Sequence, residues 1–363
     1  MPIMRKPKRR PALAGVMLAA AVAVFAAPAQ ATETIKLTAI DGYPPRALWV
    51  KAFINFFIPE IDRRLAETGN YKIEWNQAWG GQIAKPKGVL QALQKGLGDI
   101  GGVVTVFHAD KVPLQMIAYA TPFVSTDPVL VARTVDKLVD RYPDFKKAWA
   151  KYNQVYLTNL VVLDSYQIVS KTPLSSLTDF KGRKVAGAGM NLAYLKGFGA
   201  VGVSGSLVDY YNNLKSGVVD AAMVWAETSI TFKLVEVAPH MLKADIGTAS
   251  AGALTMNADS WKRLPDEVKQ AIAGAAPAYR DHVAMAALGV AKSSYEEYQA
   301  RGGTIVQMAA SERSRWAKTM PNIAKTWASG LEQKGIPGKA ILKAYMDEMR
   351  ANDQPILRHW DRE

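Results

Sequence analysis

The sequence predicts an α/β protein folded as two similar lobes. Three observations predict it. Strand-like and helix-like segments alternate along the chain, one helix–glycine–strand joint occurs twice, and a helical stretch around residue 280 is longer than one lobe needs. The 363 residues include no cysteine, 49% are hydrophobic and 21% charged, enough for a large core. That balance excludes a disordered tail, a disulfide-stapled miniature and a multi-span membrane protein. Lack of cysteine removes thiolate metal sites, iron–sulfur clusters and cysteine nucleophiles.

Residues 1–31 read as an export signal. Arg5, Lys6, Lys8, Arg9 and Arg10 form a basic start, residues 12–27 an apolar stretch, and Ala29-Gln30-Ala31 a small-x-small cleavage site. The apolar stretch is shorter than the roughly 20 residues a membrane span requires. The expected product is a soluble periplasmic protein. Part of the +13 formal charge leaves with the signal. The remaining basic residues are spread along the chain, without the clustered, aromatic-interleaved face of a nucleic-acid binder.

In the mature chain, 34–40 (TIKLTAI) reads as a strand and Asp41-Gly42-Tyr43-Pro44-Pro45 as a turn. Val50, Phe53, Phe57, Ile61 and Leu65 mark an amphipathic helix over 47–67, with Pro59 expected to disturb it. Residues 71–75 alternate as a strand, 87–95 form a helix and 99–107 an apolar strand. This β–α–β order implies parallel or mixed sheets covered by helices.

Leu93-Gln94-Lys95-Gly96-Leu97-Gly98-Asp99-Ile100 and Leu214-Lys215-Ser216-Gly217-Val218-Val219-Asp220-Ala221 share the grammar L-x-x-G-x-x-D-apolar. Each is read as a helix ended by a left-handed glycine, then an aspartate that opens a buried strand; coincidence remains the alternative, since such joints are common. Residues 265–301 read as one long helix, about 55 Å at roughly 1.5 Å per residue, bent at Pro277. Residues 304–307 read as a strand and 311–363 as mostly helical. The expected lobes are 32–162 with about 250–285, and 163–249 with about 286–363, the latter carrying the helical tail.

Catalytic motifs are missing. Gly96-Leu97-Gly98-Asp99-Ile100-Gly101 matches G-x-G-x-x-G, but a helix precedes it and a strand follows, the reverse of a dinucleotide loop. His108, His240, His282 and His359 lack metal-ligand spacing. Ser204 lacks the frame of a hydrolase elbow, although a triad assembled from distant residues stays open. No catalytic residue, metal or cofactor is assigned. Instead, aromatic residues and glycines gather at strand ends, where open α/β sheets hold their ligands. The candidate ligand-binding residues are Tyr43, Trp79, Gly80, Gln82, Phe107, Tyr166, Gly187, Met190, Asn191 and Trp225.

The ordered set Trp79-Gly80-Gly81-Gln82, Ala120-Thr121-Pro122-Phe123-Val124, 171–185 (KTPLSSLTDFKGRKV), 214–220, 232–237 (FKLVEV) and 260–265 (SWKRLP) resembles one family from about residue 34 to 310. That family is the solute-binding proteins of tripartite ATP-independent periplasmic (TRAP) transporters. The resemblance implies a bilobal flytrap, a long helix across both lobes, capture of a small organic solute without chemistry, and delivery to a membrane permease; a monomer is expected. An exported enzyme on the same scaffold, or a sensing module for a receptor, are the alternatives. The chain departs from the family where carboxylate binders carry a clamping arginine: Ala186 stands there. Met223-Val224-Trp225 replace polar contacts, and Met223 cannot supply a metal carboxylate. The expected solute is therefore less charged or aromatic; if it is an acid, Lys85, Lys87 or Arg46 would meet its charge.

Overall fold

The computed structural model describes residues 1–4, 32–161 and 164–363. All but the first four residues of the expected export signal lie outside them. Eleven strands form two mixed sheets among the described residues. The strands are β1 (Glu33–Ile40), β2 (Tyr71–Ala78), β3 (Ile100–Val104), β4 (Gln154–Val161), β5 (Gln167–Ser170), β6 (Lys184–Gly187), β7 (Val201–Ser204), β8 (Ala221–Val224), β9 (His240–Lys243), β10 (Ser250–Asn257) and β11 (Thr304–Gln307). One sheet runs β2-β1-β3-β10-β4, the other β11-β9-β5-β8-β6-β7.

The sheets are mixed, as expected, with the antiparallel pairing set by two strands. β10 is antiparallel to β3 and β4, and β5 is antiparallel to β8 and β9. Both follow a direct crossing from the other sheet, whereas β11, reached through the long helix, is parallel to β9. The two crossings hydrogen-bond to each other. Tyr166 N donates to Gly247 O at 3.1 Å and Ile246 N to Tyr166 O at 3.1 Å, while Phe123 N and Thr248 N tie in residues 123–125.

The repeated joint has one geometry in both sheets. Gly96 and Gly217 both take positive φ, 70° and 77°. Asp99 Oδ2 accepts from Thr38 N of β1 at 2.7 Å, and Asp220 Oδ2 accepts from Lys184 N of β6 at 2.8 Å. Each aspartate thus fixes the register of its strand against the parallel neighbour, which explains why the grammar needs an acid at that position. Gly98 and Gly101 press against Ile40, where a Cβ would lie within 2.6 Å, so these glycines serve close strand packing.

Helix Asp266–Ala300 is a single 35-residue element. It continues through Pro277 because that residue and Ala273, whose carbonyl loses its donor, both face water. The half-buried Arg280 anchors it. Its Nη1 lies 2.6 Å from Asp136 Oδ2, and Asp136 also accepts from Tyr156 and Thr158. The predicted 47–67 helix is seen over 48–66 with a π turn at Phe53–Phe57, just before Pro59. That turn absorbs the misfit of a residue with no N–H for the carbonyl four back.

The tail packs on both sides. Trp316, in helix Ala310–Thr319, donates to Tyr194 O at 2.7 Å and stacks among Phe180 and Phe198. Trp327 and Trp360 donate to Pro113 O and Pro122 O, on the side of the first sheet. The tail's tryptophans thus reach residues beside both sheets. No described helix is long and apolar enough to cross a membrane.

Candidate functional site

Between the two sheets lies a half-open cavity of about 60 Å³. From the first side come Tyr43, Trp49, Tyr119, Leu160, the β3 backbone, Val106 and Phe107; from the second come Tyr166, Ala188, Asn191, Leu207, Tyr210, Met223 and Trp225. Seven aromatic rings face it, and none of its lining residues is charged.

Local chemistry places these rings. The chain turns after β1, where the buried Asp41 accepts from Tyr43 N at 2.8 Å and from Trp49 Nε1 at 3.1 Å. One carboxyl group therefore orients two walls, and the two rings meet edge to face at 5.0 Å. Burial pushes the Asp41 carboxyl up to about 7, against the three hydrogen bonds that lower it. Opposite, Ser206 and Asp209 cap helix Leu207–Ser216, which fixes the turn carrying Leu207 and Tyr210. Trp225 follows β8 and donates from Nε1 to Glu227 Oε2 at 3.2 Å. Burial raises the Glu227 carboxyl as well.

The polar part of the cavity is phenolic. Tyr119 and Tyr166 hydroxyls lie 2.9 Å apart, and burial lifts Tyr166 to about 12. Tyr43, Tyr119 and Tyr210 are raised further, again by burial, so all four phenols stay protonated at neutral pH. Asn191 Oδ1 accepts from Ala188 N at 2.8 Å, which pins the loop after β6. Beside this loop the halves touch. Gly189 has φ +50°, and a Cβ there would sit 1.9 Å from Val106 O across the cleft.

Of the ten residues proposed from sequence, Tyr43, Phe107, Tyr166, Asn191 and Trp225 line this cavity. Phe107 does so from a 3₁₀ turn, Thr105–His108, because β3 ends at Val104, short of the predicted 107. Met190 lines a neighbouring, more open hollow with Lys87 and Asp110. Gly187 lies just behind the wall, against Asn191 and Met223. Three do not reach it. Trp79 is core, packed on Phe53 at 5.3 Å and bonded to Gln77; Gly80 holds the turn through Tyr43 O, and Gln82 is exposed.

Lys85, Lys87 and Arg46 do not line the cavity either. Arg46 sits over the outer face of Phe232 at 5.1 Å and Lys87 over Phe107 at 5.5 Å. Ala186 is fully buried within its sheet. Sequence reading missed Trp49, Tyr119 and Tyr210. Neither Trp49 nor Tyr210 carried a sequence signal, since both look like ordinary amphipathic helix positions. Among the described residues no histidine bonds to a serine hydroxyl or a carboxylate, and no cluster of three or more acidic or histidine side chains suits a metal.

The model of the bacterial extracellular solute-binding proteins, family 7, matches residues 52–330. Solved structures share the fold. A TRAP solute-binding protein from Rhodoferax ferrireducens, with copurified benzoate, superposes with a TM-score of 0.77 at 18% identity, covering 87% of this chain and 98% of that one. One from Bordetella bronchiseptica with bound mandelate gives 0.76 at 20%, covering 88% and 100%. A Bordetella pertussis extracytoplasmic receptor binding pyroglutamic acid gives 0.73 at 18%, covering 86% and 99%.

Proposed function

Since the chain belongs to the bacterial extracellular solute-binding proteins of family 7, we propose that it captures one small organic solute in the cavity between its sheets. It is a binding protein, not an enzyme. The observation that carries the reading is the cavity itself, built from both halves and walled by seven aromatic rings. Such walls suit a compact ring or branched apolar body, oriented by few polar contacts. The solutes named for the structural neighbours, benzoate, mandelate and pyroglutamate, are of that size class.

The halves open and close about the paired crossings at 164–167 and 245–248. A solute touching both halves binds the closed form better and shifts the population toward it. Closure excludes water, so each hydrogen bond inside counts for more. The closed form, in the periplasm, then presents its joined surface to the membrane subunits of a TRAP permease, and the solute leaves chemically unaltered.

The test is thermal denaturation of the purified protein against a panel of small organic solutes, followed by mass spectrometry of the solute recovered. A stabilising solute recovered unchanged supports capture. Conversion of that solute by the protein alone contradicts it.

A further inference from the structure

The capture reading leaves the charge of the solute open, and the cavity wall bears on it. We propose, resting on that reading, that the cavity is built for an uncharged solute carrying a hydroxyl or carbonyl group, and that it selects against carboxylates. No lysine, arginine or histidine lines it. Arg46 lies over the Phe232 ring, and Lys87 lies over the Phe107 ring and lines the neighbouring hollow, not this cavity.

What backs the wall is acidic. Two indoles that line the cavity, Trp49 and Trp225, each donate outward to a buried carboxyl, Asp41 and Glu227. Among the described residues neither acid forms an ion pair. Burial already disfavours charge on both. An anion placed beside them would lose its water, gain no counter-ion and raise their cost further.

The polar side chains of the wall are Tyr43, Tyr119, Tyr166, Tyr210 and Asn191. A phenol both donates and accepts, so the set matches a group that does the same. A protonated amine gains less, because Asp41 spends its oxygens on the Tyr43 N–H and the Trp49 indole, and Glu227 on the Trp225 indole and the Thr228 and Thr231 hydroxyls.

Matched pairs test this by calorimetry on the purified protein at pH 7.5. They are benzoate against benzyl alcohol, mandelate against 1-phenylethane-1,2-diol, and pyroglutamate against 2-pyrrolidinone, with benzylamine added. The expected result is at least one pair whose uncharged member binds tenfold or more tighter than its acid, with benzylamine weaker than benzyl alcohol. Removing the Lys87 charge by Lys87→Met should leave that affinity unchanged. Overturning results are a carboxylate binding as well as its uncharged partner, benzylamine binding best, or no uncharged probe binding at all. Mass spectrometry of the solute that co-purifies separates the two readings. A co-purified acid removes the charge assignment and leaves capture standing; no bound solute and no stabilisation by any probe removes both.

Discussion

Replacing Gly189 by alanine tests the closed arrangement at its tightest point. The added Cβ would lie 1.9 Å from Val106 O, 2.9 Å from Val106 C and 3.2 Å from Val106 Cγ2. Ordinary contact begins at 3.4 Å, so the facing half must retreat by about 1.5 Å. Overpacking of this kind costs about 1–3 kcal/mol, and a left-handed φ for a residue with a Cβ about 1–2 more. The steric part falls only on the closed form. Solute affinity should therefore drop roughly 5- to 150-fold, at about 1.4 kcal/mol per tenfold. Calorimetry on the solute that co-purifies measures it, and solution scattering should show the variant more extended in its presence. Gly182→Ala is the control: φ is +74° there, with nothing within 4 Å of a Cβ. It carries the backbone strain alone and should cost stability without changing affinity. Equal affinity in Gly189→Ala and the parent would show that Val106 and Gly189 do not meet in the solute-bound state.

Three further outcomes follow from the same geometry. Trp225→Ala should weaken solute binding by about tenfold or more, whereas Trp79→Ala should lower stability by about 3–5 kcal/mol and leave affinity within about threefold, measured by calorimetry and denaturant titration. Asp41 is raised from its ordinary value to about 7, and Asp164, at the crossing, to about 8, by burial first and the charge of Asp245 second. The folded state holds these protons more tightly than the unfolded chain. Their stabilisation is therefore full below about pH 4 and lost as pH rises to about 7 and 8. Asp41→Asn should remove its share, on the order of 4 kcal/mol across that window, and be read as a shallower fall of Tm between pH 4 and 7; an unchanged slope would contradict the raised carboxyl. Ala186→Arg should destabilise by several kcal/mol, an unpaired guanidinium inside a sheet, and should not tighten benzoate binding; tighter binding would restore a carboxylate clamp.

Element types were legible where periodicity and punctuation agree. The repeated joint is the clearest case, since leucine, glycine and aspartate each have one physical task there: a buried contact, a left-handed turn, and a bond to the neighbouring strand. That β5 and β10 are the antiparallel strands was not legible, because their direction depends on how the chain crosses between the sheets. The site was partly legible for a similar reason. Strand-end position finds Tyr43, Tyr166, Asn191 and Trp225, but it also selects Trp79, whose ring turns into the core against Phe53. A strand end fixes where a residue stands, and packing decides where its side chain goes. Tyr119 and Tyr210 reach the cavity from short helical segments and carry no local mark. The buried acids behind Trp49 and Trp225 gain their meaning only once the indoles are placed.

The absence of cysteine allows the central claim to be measured directly. Spin labels at Asn76→Cys and Lys215→Cys, exposed positions on the two halves, report the separation of the halves by pulsed electron resonance. The distance is taken before and after the co-purified solute is dialysed away. Closure around a solute predicts one short, narrow distance with solute bound and a longer, broader distribution without it. An identical distribution in both states would mean that the halves do not move on binding.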